Sequence, residues 1–520
     1  MHRAEFTGVS AAVPVVSAAV PGANADVHNA VHSAVHSAVD GAINAIVAAV
    51  VAVVVVVLLT TGCAPPPSVR QALIHEALTR DNRDLALRDP REVRARFARM
   101  ATDPFSFFRG SIGLWARDIT TPGGPGAVPS AFADDVAGAI LLVGDPHPEN
   151  LGTVATDGGL VFGFNDFDVA RFGPAILDLR RLALGTAVAG QQITGDDALT
   201  NALTNALTIA LVTGVVDGYA DGMAGPLVEI VDPAHAETVD DASIDDPGQI
   251  IRDLFERARS RGADRREFDD VTIIESGQRH LVLAEAVPDD LEAEVLLPVT
   301  PFEDAAINGA LRDAGFAPRQ LARAVGRGVG SRPLLRWLVL LDDGGLLQLK
   351  EARDTFALPG LVAEHERFFG SNAERVVFAR RTMLGHDGAD AALRTVGLAP
   401  LGAFTTSETA YAQTVRVARL QEGFADGSLV DADLVAFARV AGRALAFAHR
   451  RGVSVDGDPI ADRLPLALDV VSPANRAALV DETIAAVGAG LDNAVGDHVL
   501  LQDLIDIRGP LLGLDTVATP

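Results

Sequence analysis

The residues that could do chemistry gather in 141–170, LLVGDPHPENLGTVATDGGLVFGFNDFDVA. An apolar run at 141–143 ends at Gly144-Asp145, and a polar loop follows at 146–150. A turn at Asp157-Gly158-Gly159 leads into a second apolar run at 160–164, which ends at Asn165-Asp166-Phe167-Asp168. The pattern predicts two short strands, each delivering an acid at its C-terminal end. Transfer of a phosphoryl group to a hydroxyl needs a carboxylate beside the acceptor. It also needs a metal, held by hard oxygen ligands, that bridges the nucleotide phosphates. Asp145 suits the first role. Asn150, five residues on, and Asp166 suit the metal. Asp168 is either a second ligand or a solvated turn residue. His147 reads better as a hydrogen-bonding brace of the loop than as a metal ligand. One acidic turn after a strand is commonplace; two, in this order and about 20 residues apart, single the stretch out.

A site of this kind needs elements to position it. Residues 69–101 read as one or two charged amphipathic helices, followed by PFSFFRGS at 104–111, whose aromatics suit a core. After the second acid, Gly173-Pro174 breaks the chain and a helix begins near Ala175, with Asp178 in its first turns. Helical patterns recur at 196–222, 247–262, 361–383, 407–450 and 474–507, with short strands expected at 271–274 and 280–284. His449 reads as a helix-end residue favoured by the macrodipole.

The second informative stretch is 321–352, LARAVGRGVGSRPLLRWLVLLDDGGLLQLKEA. Gly326, Gly328 and Gly330 make a Gly-rich turn. A strand pattern at 334–341, a hairpin turn at Asp342-Asp343-Gly344-Gly345 and a second strand at 346–350 follow. Glycines let backbone N–H groups approach phosphates, and a lysine can pair with them; a purely structural turn is the alternative. The lysine ending this strand, Lys350, is the only one in the chain, against 42 arginines. Arginine therefore serves wherever a generic positive charge is needed, the alternative being that the lysine is a chance survivor of biased codon usage. A compact ammonium in a phosphate site is not replaceable by a planar guanidinium.

GDPHPEN resembles the catalytic loop of kinase-like small-molecule phosphotransferases, and NDFDVARFGPAILDL resembles their metal-binding segment; aminoglycoside and choline kinases carry similar strings. The longer pattern, PFSFFRG, GDPHPEN and NDFDVARFGPAILDLRRLA, resembles the bacterial family called domain of unknown function 2252. That resemblance covers most of the chain after about residue 90 and is strongest over 104–184. It implies an α+β, protein-kinase-like two-lobed fold with a mainly helical large lobe. It also implies Mg²⁺ and ATP, or another nucleoside triphosphate, as cofactor and donor. Asp145 and Lys350 would be catalytic. Gly326, Gly328, Gly330, Lys350 and Arg109 would bind the nucleotide, although Arg109 reads equally as a buried structural arginine. Asn150, Asp166 and Asp168 would hold metal. Asp178 would brace the catalytic loop, and Glu364, Glu366 or Glu374 would pair with Lys350. The order is unusual, because the Gly turn and lysine follow the catalytic loop instead of preceding it. The implied activity is phosphoryl transfer to a hydroxyl or amine of a small-molecule or protein acceptor. A nucleotide-binding pseudokinase and a metal-dependent hydrolase are the alternatives.

The chain of 520 residues can bury a large core and hold more than one lobe. The expected division is a leader at 1–63, a linker and first helices at 64–103, and the catalytic and metal region at 104–300. A nucleotide lobe at 301–383 and a helical region at 384–520 complete it. A formal charge of −26 and the lack of a basic stripe argue against nucleic acid as a partner. Residues 1–40 are a low-complexity Ala/Val/Ser/His stretch. His28, His32, His36 and Asp40 fall at four-residue spacing, which suits metal less well than it suits a discarded leader.

The uncharged apolar run at 41–59 is long enough for a membrane segment or a signal core. It ends in Thr60-Thr61-Gly62-Cys63 before a Pro-rich linker, which resembles a bacterial lipoprotein signal. Cys63 is the sole cysteine, so no intramolecular disulfide forms. The expectation is a membrane-anchored chain lipidated at Cys63, with a plain transmembrane anchor or a cytoplasmic protein with a mis-assigned start as the alternatives. Labelling cells with a fatty acid is expected to mark the wild-type chain and not Cys63→Ala. Equal labelling of both, or of neither, would remove lipidation.

Overall fold

The computed structural model describes residues 68–516, except 122–126, 134–138, 157–158, 196–205, 228–229, 232–246, 265–270, 288–293, 327, 356–357, 359–360, 386–391, 409–412 and 461–471. Cys63, the apolar run at 41–59 and the histidines at 28–36 lie outside the described residues. Among the described residues no helix is long and apolar enough to cross a membrane. The residues from Val69 onward form one compact unit.

The first helices follow from caps and prolines. Helix α1 (Val69–Arg88) stops at Asp89-Pro90, and α2 (Pro90–Met100) starts there with the Asp89 side chain accepting from the Glu92 N–H. Helix α3 (Pro104–Gly110) is capped in the same way by Asp103, and α4 (Ile112–Thr120) follows. Strand β1 (Ile140–Leu142) leads into the polar loop. The hairpin of β2 (Leu151–Thr156) and β3 (Gly159–Phe164) comes next, then β4 (Arg171–Gly173), which pairs back onto β1. Helices α5 (Ala175–Thr194) and α6 (Ala206–Ala224), strand β5 (Ile230–Val231) and helix α7 (Gln249–Asp264) continue the chain.

Strands β6 (Thr272–Glu275) and β7 (Gln278–Leu281) form a hairpin whose turn residues, Ser276 and Gly277, both have positive φ, as a two-residue type I′ turn requires. Next come β8 (Val295–Leu297), α8 (Pro301–Asp313), β9 (Pro318–Val325), β10 (Arg336–Leu341) and β11 (Leu346–Glu351). Helices α9 (Val362–Phe368) and α10 (Asn372–Leu384), strands β12 (Arg394–Leu398) and β13 (Gly402–Glu408), and helices α11 (Val417–Ala425), α12 (Asp431–Arg451) and α13 (Pro473–Arg508) complete it.

The fold is thus mixed α and β, with small antiparallel sheets set among helices. The largest sheet has six strands in the order β12-β13-β11-β10-β9-β8. Both faces of β10 are covered: Trp337 and Val339 join one cluster with α8 and Phe404, while Leu338 and Leu340 join another with Leu281 and Leu296. The sheet runs past the boundary expected at 383, because β13 returns to pair with β11 and β12 pairs with β13 at the edge. Residues 402–408 (GAFTTSE) lie inside the sheet at its β11 side, where cross-strand pairing overrides a weak local β pattern. Helix patterns also divide: 361–383 splits at Phe369–Gly370, and 407–450 gives β13's last residues and two helices broken by Gly427 at positive φ.

The helical core centres on α5, α6 and α12. Helices α6 and α12 touch backbone to backbone. An added Cβ on Gly218 would stand 1.8 Å from the Arg439 carbonyl oxygen, and one on Gly442 would stand 2.0 Å from that of Val215. Gly214 and Gly222 lie on the same stripe, four residues to either side of Gly218. Gly218→Ala and Gly442→Ala are therefore expected to lower stability by about 1–3 kcal/mol through overpacking, despite the ~1 kcal/mol by which alanine favours helix. Gly309 in α8 and Gly496 in α13 have nothing within 4 Å of an added Cβ. There the same change is expected to raise stability by ~0.5–1 kcal/mol. Urea unfolding of the four variants checks both signs.

Candidate functional site

Strand β1 ends in a loop whose shape is set by one buried carboxylate. Asp178, in the first turn of α5, accepts from the Val143 N–H at 2.7 Å and the Gly144 N–H at 3.1 Å. Its Oδ2 also lies 3.1 Å from Nε2 of His449, whose Nδ1 lies 3.0 Å from the Tyr219 hydroxyl. His449 does sit in the last turn of α12, but its imidazole is fully buried and serves this chain of contacts rather than the helix end. Gly144 has φ +90°, and a Cβ there would meet the Val169 carbonyl oxygen at 2.0 Å, so only glycine lets the loop lie against the second acidic turn.

Asp145 follows, nearly buried. Its Oδ1 accepts from Nε of Arg181 at 2.8 Å. Arg181 is itself buried, stacks on the Phe108 ring 3.4 Å from its centroid, and donates to the Phe108 carbonyl. Burial pushes the Asp145 carboxyl above its usual range, against the pull of the Arg181 charge. His147 packs edge-on to Phe105 with Nε2 3.9 Å from Asp145 Oδ2. Burial and the Arg109 charge hold it well below the usual histidine range, so it is neutral at pH 7. The expected bracing by its side-chain hydrogen bonds is replaced by packing; the loop is closed instead by its backbone carbonyl, which accepts from Asn150 N–H at 2.9 Å.

Asn150 joins the two acidic turns. Its Nδ2 donates to the Asp145 carbonyl at 3.0 Å, which leaves its amide oxygen uncommitted among the described residues, and its own carbonyl accepts from Asn165 N–H at 3.0 Å. In the second turn Asp166 Oδ1 accepts from the Asp168 N–H at 3.0 Å. Lys350, at the end of β11, places Nζ in direct contact with an Asp168 carboxylate oxygen and 3.8 Å from Asp166 Oδ2. Burial works against all three charges. The lysine and the Asp168 N–H outweigh it at Asp166, whose pKa falls below its ordinary value. Asp168, facing the Asp166 charge as well, rises above its own. The two carboxylates hold the Lys350 ammonium above the usual lysine value.

The expected carboxylate partners of Lys350 therefore need correction. Glu366 and Glu374 are exposed, Glu364 is half-buried, and none is the lysine's partner. Glu374 stands exposed in the first turn of α10, where its backbone N–H donates to the Ser371 hydroxyl. The inward residue of that turn is Arg375, fully buried, which donates to the Ala170 and Arg353 carbonyls.

Arg109 and the Gly turn meet the site from the other side. Arg109 Nη1 lies 2.6 Å from Glu149 Oε2, and Glu149 Oε1 accepts from Val417 N–H at the start of α11. Arg109 is thus a brace of the 146–150 loop in this structure. The Gly turn joins β9 to β10 at the Lys350 end of the sheet. Gly326 and Gly328 have φ of +97° and +81°, and a Cβ on Gly330 would stand 3.7 Å from the Arg109 carbonyl oxygen. Val329 is buried among α1, α2 and α13. Glu92 beside the turn has its pKa raised by burial, which outweighs the Arg332 charge and the Gly326 N–H. The turn is therefore anchored at its base on α2.

Sequence reasoning missed Arg181, Glu149 and the buried role of His449. Arg181 carries the one usable signal, since it falls three residues after Asp178 and so shares its helix face.

The family model described as "Uncharacterized protein conserved in bacteria", domain of unknown function 2252, matches residues 88–493. The chain belongs to this family. No curated protein and no solved structure matches it. The matched span takes in α2 through most of α13, and with them Asp145, Asn150, Asp166, Asp168 and Lys350.

Asp178→Ala would strand two buried backbone N–H groups and His449. The expected loss is about 2–5 kcal/mol, against about 1 kcal/mol for Tyr219→Phe, which removes a single hydroxyl at the far end. Denaturant unfolding of the two variants measures the difference.

Proposed function

We propose that this chain is a kinase-like phosphotransferase that binds a nucleoside triphosphate with Mg²⁺ and transfers a phosphoryl group to a hydroxyl or amine. The observation that carries the reading is the pairing of the lone lysine with Asp166 and Asp168, which arrive from a distant part of the chain. Three further features support it. Asp145 and Asn150 have the Asp-x-x-x-x-Asn spacing of a kinase catalytic loop. Lys350 stands on the third strand of a β9–turn–β10–β11 meander whose first turn is glycine-rich, the place of the phosphate-binding lysine in kinases. Helices α9 and α10 then lie between the lysine strand and the next strands of the sheet. In this reading the six-stranded sheet is the nucleotide lobe, placed after the catalytic loop in sequence.

Among the described residues no group of three or more His, Cys, Asp or Glu gathers to cage a metal. Two carboxylates and an amide oxygen fit Mg²⁺ well, because it usually binds one or two carboxylates and completes its shell with water and substrate phosphates. Asp166, Asp168 and Asn150 would hold it, and when bound it neutralises charge on the phosphates. Lys350 binds phosphate oxygens. Asp145, with Oδ1 fixed by Arg181, presents Oδ2 to the acceptor and orients its hydroxyl or amine. A second reading, nucleotide binding without turnover, is favoured by the Gly turn, whose Val329 is buried against the N-terminal helices.

Thermal unfolding with and without Mg²⁺-ATP tests the proposal, because a ligand of the native state raises its apparent stability. Asp166→Asn is expected to remove the Mg²⁺-dependent part of the shift. Lys350→Arg keeps the charge and the pairing, yet is expected to weaken nucleotide binding about tenfold or more, or ~1.4 kcal/mol. Lys350→Met is expected to abolish binding. An unshifted wild-type chain, or a fully competent Lys350→Arg, would sink the reading. Hydrolysis of bound ATP, or its transfer to a supplied acceptor, separates the enzyme from the binding module.

A further inference from the structure

Behind the catalytic aspartate lies a second concavity that the phosphotransferase reading does not use. It is a cavity of about 330 Å³ between α3, α4, α5 and α13, and pockets of roughly 300–1,000 Å³ are those that hold small molecules. Its wall is mostly apolar, with Leu114, Trp115, Ile119, Ile176 and Leu177 prominent, and neither Asp145 nor Asp166 lines it. Most charges at its edge are already engaged. Asp118 and Asp497 share the Arg70 guanidinium, and Arg180 is held by Glu482 and the Val128 and Pro129 carbonyls.

Arg181 is the exception. It lines the cavity with only 1% of its surface exposed. Nε is committed to Asp145 and Nη2 to the Phe108 carbonyl, while Nη1 has no hydrogen-bond partner among the described residues. A second guanidinium, that of Arg171, lies 6.0 Å from the Trp115 ring, with Arg181 at 5.2 Å. Arg171 is buried too, and its Nε and Nη1 have no hydrogen-bond partner among the described residues. The wall at Arg181 therefore carries positive charge and one unsatisfied N–H donor, with the Arg171 charge behind the Trp115 ring, and the rest of the lining is mostly apolar. At the mouth, the half-buried Asn493 offers an amide with no protein partner among the described residues.

We propose that this cavity is a binding site for a small organic acid. The apolar body, aromatic or aliphatic, lies on Trp115 and Leu114, and the carboxylate takes Nη1 of Arg181. An ionised acceptor forms the stronger, charge-assisted hydrogen bond with a desolvated guanidinium, so an acid is favoured over an alcohol of the same shape. The ligand then shares one guanidinium with Asp145, so the occupancy of this site and the setting of the Asp145 carboxylate are linked.

Calorimetric titration of the full chain with 4-phenylbutyrate and octanoate tests this, with 4-phenylbutanol as the neutral match. At least one acid is expected to bind, and the alcohol at least about tenfold more weakly. Ala486→Phe from the half-exposed mouth and Ile119→Trp from the opposite wall each fill the space without replacing Arg181. Each is expected to abolish acid binding while the shift given by Mg²⁺-ATP stays as in wild type, which keeps this site's failure separate from that of the nucleotide site. Equal binding of acid and alcohol, no binding of either acid, or binding that survives both filled variants would overturn the proposal.

Discussion

The Asp178 carboxylate is the constraint on which the candidate site depends. It reaches from α5 to the end of β1, and His449 and Tyr219 tie it in turn to α12 and α6. A carboxylate buried this deeply is tolerable only because each oxygen accepts from backbone N–H groups or an imidazole. The geometry of the Gly144-Asp145 turn is thus decided by three helices that carry none of the proposed chemistry. Asn150 passes the same order to the second acidic turn through the carbonyl that receives Asn165 N–H.

Arginine and lysine divide the remaining work by shape. Arg181, Arg171 and Arg375 are almost wholly buried, and each donates to a backbone carbonyl beside the site: Phe108 in α3, Gly144 and Ala170 in the two turns. A planar fork with five donors can clamp several carbonyls at once and stays charged where an ammonium would tend to lose its proton. The single lysine stands instead on the carboxylate pair, partly open to solvent, where a compact charge on a flexible stem has room to move. Around the candidate site, then, buried arginines hold backbone carbonyls and the lysine meets the carboxylate pair.

Much of this is legible in the chain. The acids at the ends of β1 and β3 stand out because a short apolar run followed by Gly-Asp or Asn-Asp has few local readings. The hairpin leading to Lys350 is marked by its Asp-Gly turn. Arg181, Glu149 and His449 are not legible, since each acts on a partner supplied by another element: Asp145 for Arg181, Arg109 and Val417 for Glu149, Asp178 and Tyr219 for His449. The lysine's partner is misread for a related reason. Glutamates on a nearby helix offer the right chemistry, but helix phase turns Glu374 outward and Arg375 inward. Strands β12 and β13 escape because cross-strand pairing, rather than local propensity, makes them strands.

The glycine stripe between α6 and α12 has a mechanical meaning. Most helix pairs meet through side chains, which can change rotamer and let the helices slide by fractions of an ångström. Where Gly218 and Gly442 bring one backbone onto another, nothing is left to reorganise, and the two helices behave as a single rod. Tyr219 and His449 are mounted on that rod. A displacement of α6 therefore carries α12 with it, and with both helices go the two side chains that hold the Asp178 carboxylate.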